Sequence, residues 1–209
     1  MLQYDCILKL HSAYTRIGTK LCHAILPLTN MRYTSGWGVK SPLVLRAFCL
    51  YRKEDMTTTG FYVIADKFFE DFPDPYLKRN DGENRPHYYC FRGESCLFWV
   101  IPMSSRHQKY QAIINKRVAL NRPTDFLHVA KLDNGKVNAF LIGDMFPVSA
   151  EYIVKEYTIN NNHLRVTSDS LARQIESKAK TVLGLLRRGI QFSPTQPDVL
   201  AIEQTLLRR

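Results

Sequence analysis

The sequence predicts an α+β domain with a small, strongly curved, mostly antiparallel sheet or open barrel and surrounding helices. First, strand patterns occur in pairs across short turn-forming segments, which is typical of antiparallel hairpins. Second, a long helical pattern near the C-terminal end has an apolar stripe along one face, as helices that pack on a core do. Third, 45% of the 209 residues are apolar, which is enough for one sizeable core.

The first recognisable elements follow residue 59. The stretch "GFYVIA" at 60–65 is predicted to be a short strand, and "DKFFEDF" at 66–72 a short helix with three phenylalanines on one side. The next segment, 73–86, is rich in Pro, Asp, Asn and Gly and is predicted to be a long loop. Loops of this length in compact domains are often functional.

Two hairpins are predicted in the middle of the chain. In the first, "HYYCF" at 87–91 and "CLFWVIP" at 96–102 flank "RGES"; in the second, "FLHVAKL" at 126–132 and "KVNAFLI" at 136–142 flank Asp-Asn-Gly, a strong turn signal. The segment between them, 106–120, is predicted to be a helix. Its apolar positions at helical spacing are Tyr110, Ile113, Ile114 and Val118.

The C-terminal part is predicted to be mostly helical. Its elements are a short helix at 148–153 capped by Ser149, a strand at 163–166, a long helix that starts after Thr167 or Ser168 and ends near Gly189, and a last helix at 197–207 opened by Pro197. The long helix has one apolar face, formed by Leu171, Ile175, Ala179, Val182 and Leu186.

Residues 1–55 differ from the rest of the chain. They show no sustained strand or helix period, and their acidic residues are confined to Asp5, Glu54 and Asp55. We therefore expect the native chain to begin at Met56, with 56–209 as the functional domain. The alternative is a genuine N-terminal arm that binds RNA or a partner.

Composition narrows the class of protein. The formal net charge of +10 is typical either of a basic, soluble surface or of a protein that binds a polyanion such as nucleic acid. The five cysteines include no C-x-x-C pair and the six histidines are scattered, so we expect no metal site and no cofactor. Without an apolar run of about 18 residues we expect a soluble, cytoplasmic protein with no membrane partner.

Basic side chains are concentrated in two places. On the long helix, Arg173, Lys180 and Arg187 form a stripe opposite the apolar face, and Gly184 within this stripe would let a phosphate backbone come close. In the long loop, the basic residues are Lys78, Arg79 and Arg85. Both sets are candidate RNA contacts, and the alternative for both is an ordinary solvated surface.

The stretch "WVIPMSSRHQKY" at 99–110 is the most unusual. An apolar strand pattern ends in two hydroxyls, Ser104 and Ser105, and is followed by Arg106, His107 and Lys109. A serine here could simply cap the following helix. However, the helix dipole disfavours cations at this end, and the three basic residues are better explained by a bound anion.

Known motifs exclude several chemistries for this stretch. The sequence has no G-x-S-x-G or S-x-x-K serine-hydrolase motif, no Walker A loop, and no cluster of carboxylates beside the serines. Metal-free cleavage of RNA remains, because the 2′-hydroxyl is an internal nucleophile that needs only alignment, proton transfer and charge stabilisation. Histidine can act as acid or base at neutral pH.

The sequence also resembles the endoribonuclease toxins of type III toxin–antitoxin systems, the ToxN/AbiQ family, and within it the CptN-like branch. The stretches that carry the resemblance are "GFYVIADKFF", "NRPHYYCF", "WVIPMSSRHQKY" and "FLIGDMFPVSAEYI". The resemblance implies a ToxN-like barrel fold and a metal-independent ribonuclease that leaves a 2′,3′-cyclic phosphate. It also implies cellular or phage RNA as substrate, phage defence, and inhibition by a small repeated antitoxin RNA that the toxin processes and holds in a closed assembly.

By the same resemblance the catalytic residues are the hydroxyl pair Ser104 and Ser105, a basic residue at His107 or Lys109, and His87, with Arg106 among the RNA contacts. Which of the basic groups is acid and which is base stays open. Two other functions are compatible with the residues alone. They are a non-catalytic RNA-binding protein and, less well supported, an acyl hydrolase that uses one of the serines.

The N-terminal segment gives a direct test. Because the strand and helix patterns begin only at residue 60, a chain that begins at Met56 should be as toxic in a bacterial host as the full chain. If the short chain is inert and the full chain is toxic, residues 1–55 are part of the functional protein.

Overall fold

The computed structural model describes residues 56–80, 85–94 and 97–209. The strands in these residues are β1 (Phe61–Ile64), β2 (His87–Arg92), β3 (Phe98–Ser104), β4 (His128–Lys131), β5 (Val137–Phe140), β6 (Phe146–Val148), β7 (Ile153–Glu156), β8 (Thr158–Ile159) and β9 (Asn162–His163). The helices are α1 (Asp66–Asp71), α2 (His107–Ala119), α3 (Asp169–Leu186) and α4 (Val199–Leu207), with 3-10 turns at Ile142–Asp144 and Ala150–Tyr152. The segment 1–55 lies outside the described residues, so a start at Met56 stays a prediction.

Strands β1 to β7 form one antiparallel sheet with the main order β4-β5-β3-β2-β1-β7. The long strand β3 pairs with β2 on one side; on the other side β6 pairs with its beginning and β5 with its end. Register shifts interrupt the β1–β7 and β2–β3 pairings, and such bulges bend and twist a sheet. The α+β class and the antiparallel sheet are confirmed. The described sheet does not close, so the open barrel is not confirmed.

The end of β3 divides its side chains between two packed layers. Met103 pairs with Phe140 of β5 and Ser104 with Ala139, and neighbouring residues of a strand point to opposite faces. Phe140 lies in the main core with the apolar face of α3, whereas Ala139 lies in a smaller cluster. The residues of α2 that pack on this smaller cluster are Tyr110, Ile113 and Ile114. Helices α2 and α3 therefore cover opposite faces of the sheet.

Both predicted hairpins are confirmed. β2 pairs with β3 and β4 with β5, and Gly135 in the second turn has a φ of 80°, a conformation that favours glycine. The helix predicted over 106–120 is α2, but its predicted apolar face is wrong at one position. Val118 is 62% exposed, because the cluster under α2 ends before the last turn of the helix.

The two C-terminal helices begin with side-chain caps. Ser168 precedes α3, and its Oγ accepts a hydrogen bond from the Leu171 backbone N–H at 3.3 Å, as predicted. The last helix does not begin at Pro197. Asp198 is its N-cap and accepts from the Ala201 N–H at 3.1 Å, so the α-helix starts at the next residue.

Two smaller predictions need correction. Ser149 precedes a 3-10 turn, but its hydroxyl donates to the Glu151 carboxylate at 3.0 Å and makes no capping bond. The strand predicted at 163–166 is shorter than expected. The observed strand β9 ends at His163, the first residue of the predicted strand. Beyond it, Arg165 forms only an isolated bridge to Gly60.

His87 is completely buried at the beginning of β2. Its ring lies 6.4 Å from the ring of Phe69 and 5.5 Å from that of Phe146, measured between centroids. Within the described residues neither ring nitrogen has a hydrogen-bond partner. Burial, together with the nearby positive charge of Arg85, lowers the pKa of His87 from 6.5 to about 3. The imidazole is therefore neutral in the folded protein at physiological pH.

This burial predicts a loss of stability in mild acid. Between the folded pKa of about 3 and the unfolded value of 6.5, the unfolded chain binds a proton that the folded chain does not, so stability falls as the pH drops through this range. At pH 5 the loss from this one ring would be about 2 kcal/mol. His87→Phe keeps the aromatic packing and removes the titrating group. Denaturant unfolding at pH 7 and pH 5 should therefore show a smaller loss in the variant than in the wild type.

His107→Gln is the matched control, because His107 is not fully buried and its replacement should leave the pH dependence of stability as in the wild type. Equal losses in His87→Phe and the wild type would show that His87 is not held as a buried neutral ring.

Candidate functional site

The two serines lie at the junction between the sheet and α2. Ser104 is the last residue of β3, Ser105 follows in a bend, and α2 begins at His107. The N-cap of α2 is Arg106, and no side chain caps the helix. The Ser104 hydroxyl accepts from the Arg106 backbone N–H at 3.2 Å, one residue ahead of the helix. The interpretation of either serine as a simple helix cap is therefore wrong.

The His107 ring is fixed by a bond to the same junction. Its Nδ1 lies 3.1 Å from the carbonyl oxygen of Ser105. Because a carbonyl oxygen can only accept, Nδ1 is the protonated nitrogen. The lone pair of the neutral ring is then on Nε2, which is the tautomer and the nitrogen that a general base would use. When the ring is charged, the same nitrogen can donate a proton.

Two cations complete this junction. Arg106 and Lys109 are exposed, and within the described residues neither has a carboxylate partner. The Lys109 Nζ lies 5.7 Å from the ring centroid of Tyr110. The first turn of α2 contains no acidic residue. The first turn of α2 and the three residues before it therefore carry hydroxyls, an imidazole and two cations that have no carboxylate partner among the described residues. Groups of these kinds at a helix N-terminus can bind a phosphate and transfer protons.

His87 is the predicted catalytic residue that does not join this exposed group. It pairs with Pro102 of β3, two residues before Ser104, but none of its surface reaches solvent. The neutral ring cannot contact an RNA phosphate in this structure. A catalytic role for His87 stays a prediction and requires the adjoining loop to move.

Two cations of the predicted long loop, Lys78 and Arg85, act on the half-buried carboxylate of Asp144. Lys78 lies 3.9 Å from Asp144, whose pKa is raised by burial and lowered in part by Lys78 and Arg85. Leu77 is buried and anchors this part of the loop, whereas Arg79 is exposed. Positions 81–84, in the middle of the predicted loop, lie outside the described residues. Sequence reasoning missed Asp144, because nothing in the local pattern places its carboxylate beside a loop 60 residues away.

The stripe on α3 is less free than its sequence indicates. Lys180 forms an ion pair with Glu176 at 2.6 Å, and Arg187 forms one with Glu203 of α4 at 3.0 Å. Glu203 is only 7% exposed. Because Arg187 is the C-cap of α3 and Glu203 is on α4, this ion pair joins the two helices. Of the three predicted contacts in the described structure, Arg173 alone has no such partner.

The stripe and the strand–helix junction are also not adjacent. α3 covers one face of the sheet and α2 the other, so the basic stripe points away from the side on which Ser104 lies. The space above Gly184 is open, which agrees with a close approach by a phosphate backbone but does not require one. An RNA that touched both regions would have to pass around an edge of the sheet.

The described residues contain no group of three or more His, Cys, Asp and Glu side chains placed to hold a metal ion. None of the helices in the described ranges is both long enough and apolar enough to cross a membrane. The prediction of no metal site and no membrane partner rests on the sequence, and these observations add no test of it.

The stripe can be tested by charge reversal. Arg173→Glu and Lys180→Glu should weaken RNA binding, and should flatten its salt dependence by about one log–log unit for each lost phosphate contact. Both variants should fold, since Arg173 has no ion-pair partner among the described residues and the Lys180–Glu176 pair is an exposed helical pair worth about 0.5 kcal/mol.

Arg187 differs from the other two residues of the stripe, because it forms an ion pair with the buried Glu203 of α4. Arg187→Glu would place a second carboxylate beside the buried Glu203 and should lower the unfolding temperature. Binding isotherms at several salt concentrations decide the matter: an unchanged slope in Arg173→Glu and Lys180→Glu would reduce the stripe to a solvated face.

Comparison with known proteins gives a match in fold. No family model and no curated protein sequence matches the chain. A solved structure of a bacterial type III toxin–antitoxin system, ToxN, whose toxin is selectively inhibited by a non-coding RNA pseudoknot, matches with a TM-score of 0.53 at 15% identity, over 71% of this chain and 96% of that chain. AbiQ, a lactococcal anti-phage endoribonuclease of the type III toxin–antitoxin system, matches with a TM-score of 0.56 at 12% identity, over 73% of this chain and 100% of that chain. The described part of the chain therefore has the fold seen in ToxN and AbiQ, as the resemblance in sequence implied.

Proposed function

We propose that this protein is a metal-independent endoribonuclease toxin of a type III toxin–antitoxin system. The observation that carries the proposal is the group of side chains at the start of α2, where Ser104, Ser105 and His107 are close in sequence to Arg106 and Lys109, two exposed cations with no carboxylate partner among the described residues. The fold shared with ToxN and AbiQ supports it.

In the proposed reaction the scissile phosphate binds at the N-terminus of α2. Lys109 and Arg106 hold its negative charge, and the serine hydroxyls align the phosphate and the 2′-hydroxyl. The Nε2 atom of His107 takes the proton of the 2′-hydroxyl as that oxygen attacks phosphorus. The bond from phosphorus to the 5′-oxygen breaks, and the leaving oxygen takes a proton from solvent water or from the His107 ring that has just been protonated. The products are a 2′,3′-cyclic phosphate and a 5′-hydroxyl.

The structure favours His107 over His87 as the base in this scheme. His107 has a defined tautomer and lines the surface, whereas His87 is buried and its pKa is about 3. A role for His87 as the second proton-transfer group is kept as part of the proposal only for a state in which the residues around it have opened.

The proposed partners follow from the proposed function as a type III toxin. The substrate is cellular or phage RNA, and the inhibitor is a small repeated antitoxin RNA that the toxin cuts and then holds in a closed protein–RNA assembly. The proposed location is the cytoplasm, where both RNAs are found. The DNA upstream of the gene offers a simple check, since short tandem repeats followed by a terminator would encode such an antitoxin.

A non-catalytic RNA-binding protein is the second candidate. The observation that favours it is the burial of His87, which removes one of the two predicted proton-transfer rings from the exposed group. Such a protein would bind RNA in a salt-sensitive manner and leave it intact.

Substitutions in the exposed group separate the two candidates. Ser104→Ala, His107→Ala and Lys109→Ala should each reduce RNA cleavage by about 100-fold, the usual cost of losing an acid–base group or a charge-stabilising contact. Their melting temperatures should stay within a few degrees of the wild type, because these side chains are exposed or half-buried and none is a helix cap. Cleavage should be measured with a labelled RNA in the presence and absence of EDTA.

The matched control is Lys116→Ala, which removes an exposed lysine from the other end of the same helix and should cleave like the wild type. The fragment ends give an independent check on the mechanism. A 5′-phosphate product or a requirement for magnesium would contradict attack by the 2′-hydroxyl, and RNA that is bound but never cut would support the second candidate.

A further inference from the structure

An open groove of about 450 Å³ lies between α2 and the β4–β5 hairpin. The groove is shallow and open to solvent, so it suits a flat group that lies against the surface and not an enclosed small molecule. Five residues of α2 and two of the hairpin line it: His107, Gln108, Gln111, Ala112, Asn115, Val129 and Val137. The groove shares His107 with the exposed group at the start of the helix, and none of its other residues has been given a role above.

The wall of the groove is polar and ordered. His107, Gln111 and Asn115 follow one another at intervals of four and so lie on the same side of α2. The Gln111 Nε2 donates to the Asn115 Oδ1 at 2.9 Å. This bond leaves the Gln111 oxygen free to accept and the Asn115 amide nitrogen free to donate. The hydrogen-bonded pair of amides therefore offers one acceptor, on Gln111, and one donor, on Asn115.

The floor of the groove is apolar and lies on the same face of the sheet as Ser104. Ser104 pairs with Ala139, and Ala139 with Val129, so these three residues lie side by side. Val137 is two residues from Ala139 on β5 and points to the same side. The floor thus continues from the strand end that carries the proposed catalytic hydroxyl.

We infer that this groove binds one unpaired nucleobase of the RNA, next to the scissile phosphate, and that Gln111 and Asn115 read its edge. Every nucleobase has a flat apolar face for the valine floor and an adjacent donor and acceptor for the amide pair. The order of donor and acceptor along the edge differs between the amino bases A and C and the keto bases G and U, so a fixed amide pair distinguishes these two classes. The basic residues at the shared end of the groove suit the phosphate that follows such a base. The inference rests on the proposed function, because it identifies the part of the substrate that the same site selects.

Sequencing of cleavage ends tests the inference with the full chain and a random-sequence RNA pool. The wild type should prefer a particular base at one position adjoining the cut. Gln111→Ala and Asn115→Ala should each reduce that preference by about 2- to 10-fold, the value of one hydrogen bond, and should raise KM more than they lower kcat. Val137→Trp, which fills the groove, should abolish the preference.

Gln204→Ala is the matched control, since Gln204 is an exposed glutamine on α4 and should leave the preference unchanged. Fluorescence anisotropy with labelled short RNAs provides a second measurement. Intact RNA reports the substrate, and RNA cut beforehand to a cyclic phosphate end reports a retained product or antitoxin end.

The outcomes distinguish this inference from the proposed function. If the wild type cleaves with a base preference that Gln111→Ala, Asn115→Ala and Val137→Trp retain, the groove is not the base site, while the nuclease proposal stands. If the wild type does not cleave but binds RNA with a preference that the same variants lose, the groove is supported and the nuclease proposal is wrong. If the wild type neither cleaves nor binds RNA, both are wrong.

Discussion

The pairing of β3 with β5 is the constraint on which the candidate site depends. It places Met103 against Phe140 in the main core and Ser104 against Ala139 on the face under α2. Because side chains alternate along a strand, a slip of one residue would expose the methionine and bury the serine hydroxyl. Backbone bonds on both sides of the strand end fix this register: Met103 N–H to the Pro86 carbonyl at 3.2 Å, and Leu141 N–H to the Pro102 carbonyl at 3.1 Å. The position of Ser104 is therefore determined by the burial of its neighbour Met103 and of Phe140 on the adjacent strand, together with these backbone bonds.

How much of this could be read from the sequence depends on how local each interaction is. Both hairpins and the start of α3 were predictable, because a turn signal such as Asp-Asn-Gly or a cap such as Ser168 acts within a few residues. The strand–helix junction at the serines was predictable because the apolar strand pattern ends at Met103 and a helical spacing of apolar residues begins at Tyr110. The open edges of the sheet could not be predicted, because the closing of a barrel depends on the pairing of strands that are far apart in the chain.

The candidate site departs from prediction where distant elements meet. The sequence predicts that His87, which follows a loop, is a catalytic basic residue. In the structure, however, β2 is an inner strand between β1 and β3, and Phe69 and Phe146 from other elements enclose the ring. Arg187 reads as part of a solvated stripe, but its partner Glu203 comes from a separate helix. The groove beside α2 could have been suspected from the spacing of His107, Gln111 and Asn115. Its floor could not, because it depends on which face of the hairpin the helix covers.

The attachment of α2 explains why function and stability can be separated at this site. None of its residues is fully buried; Tyr110, Ile113 and Ile114 rest on a cluster of three buried side chains, and Leu120, just beyond its end, is 54% exposed. Its first turn places basic residues at the positive end of the helix dipole with no acid to offset them, which costs a few tenths of a kcal/mol to about 1 kcal/mol. A bound phosphate would remove that cost and would also add contacts to a weakly packed helix. Since the main core includes no residue of α2, most positions of this helix can carry side chains suited to binding an anion instead of to packing.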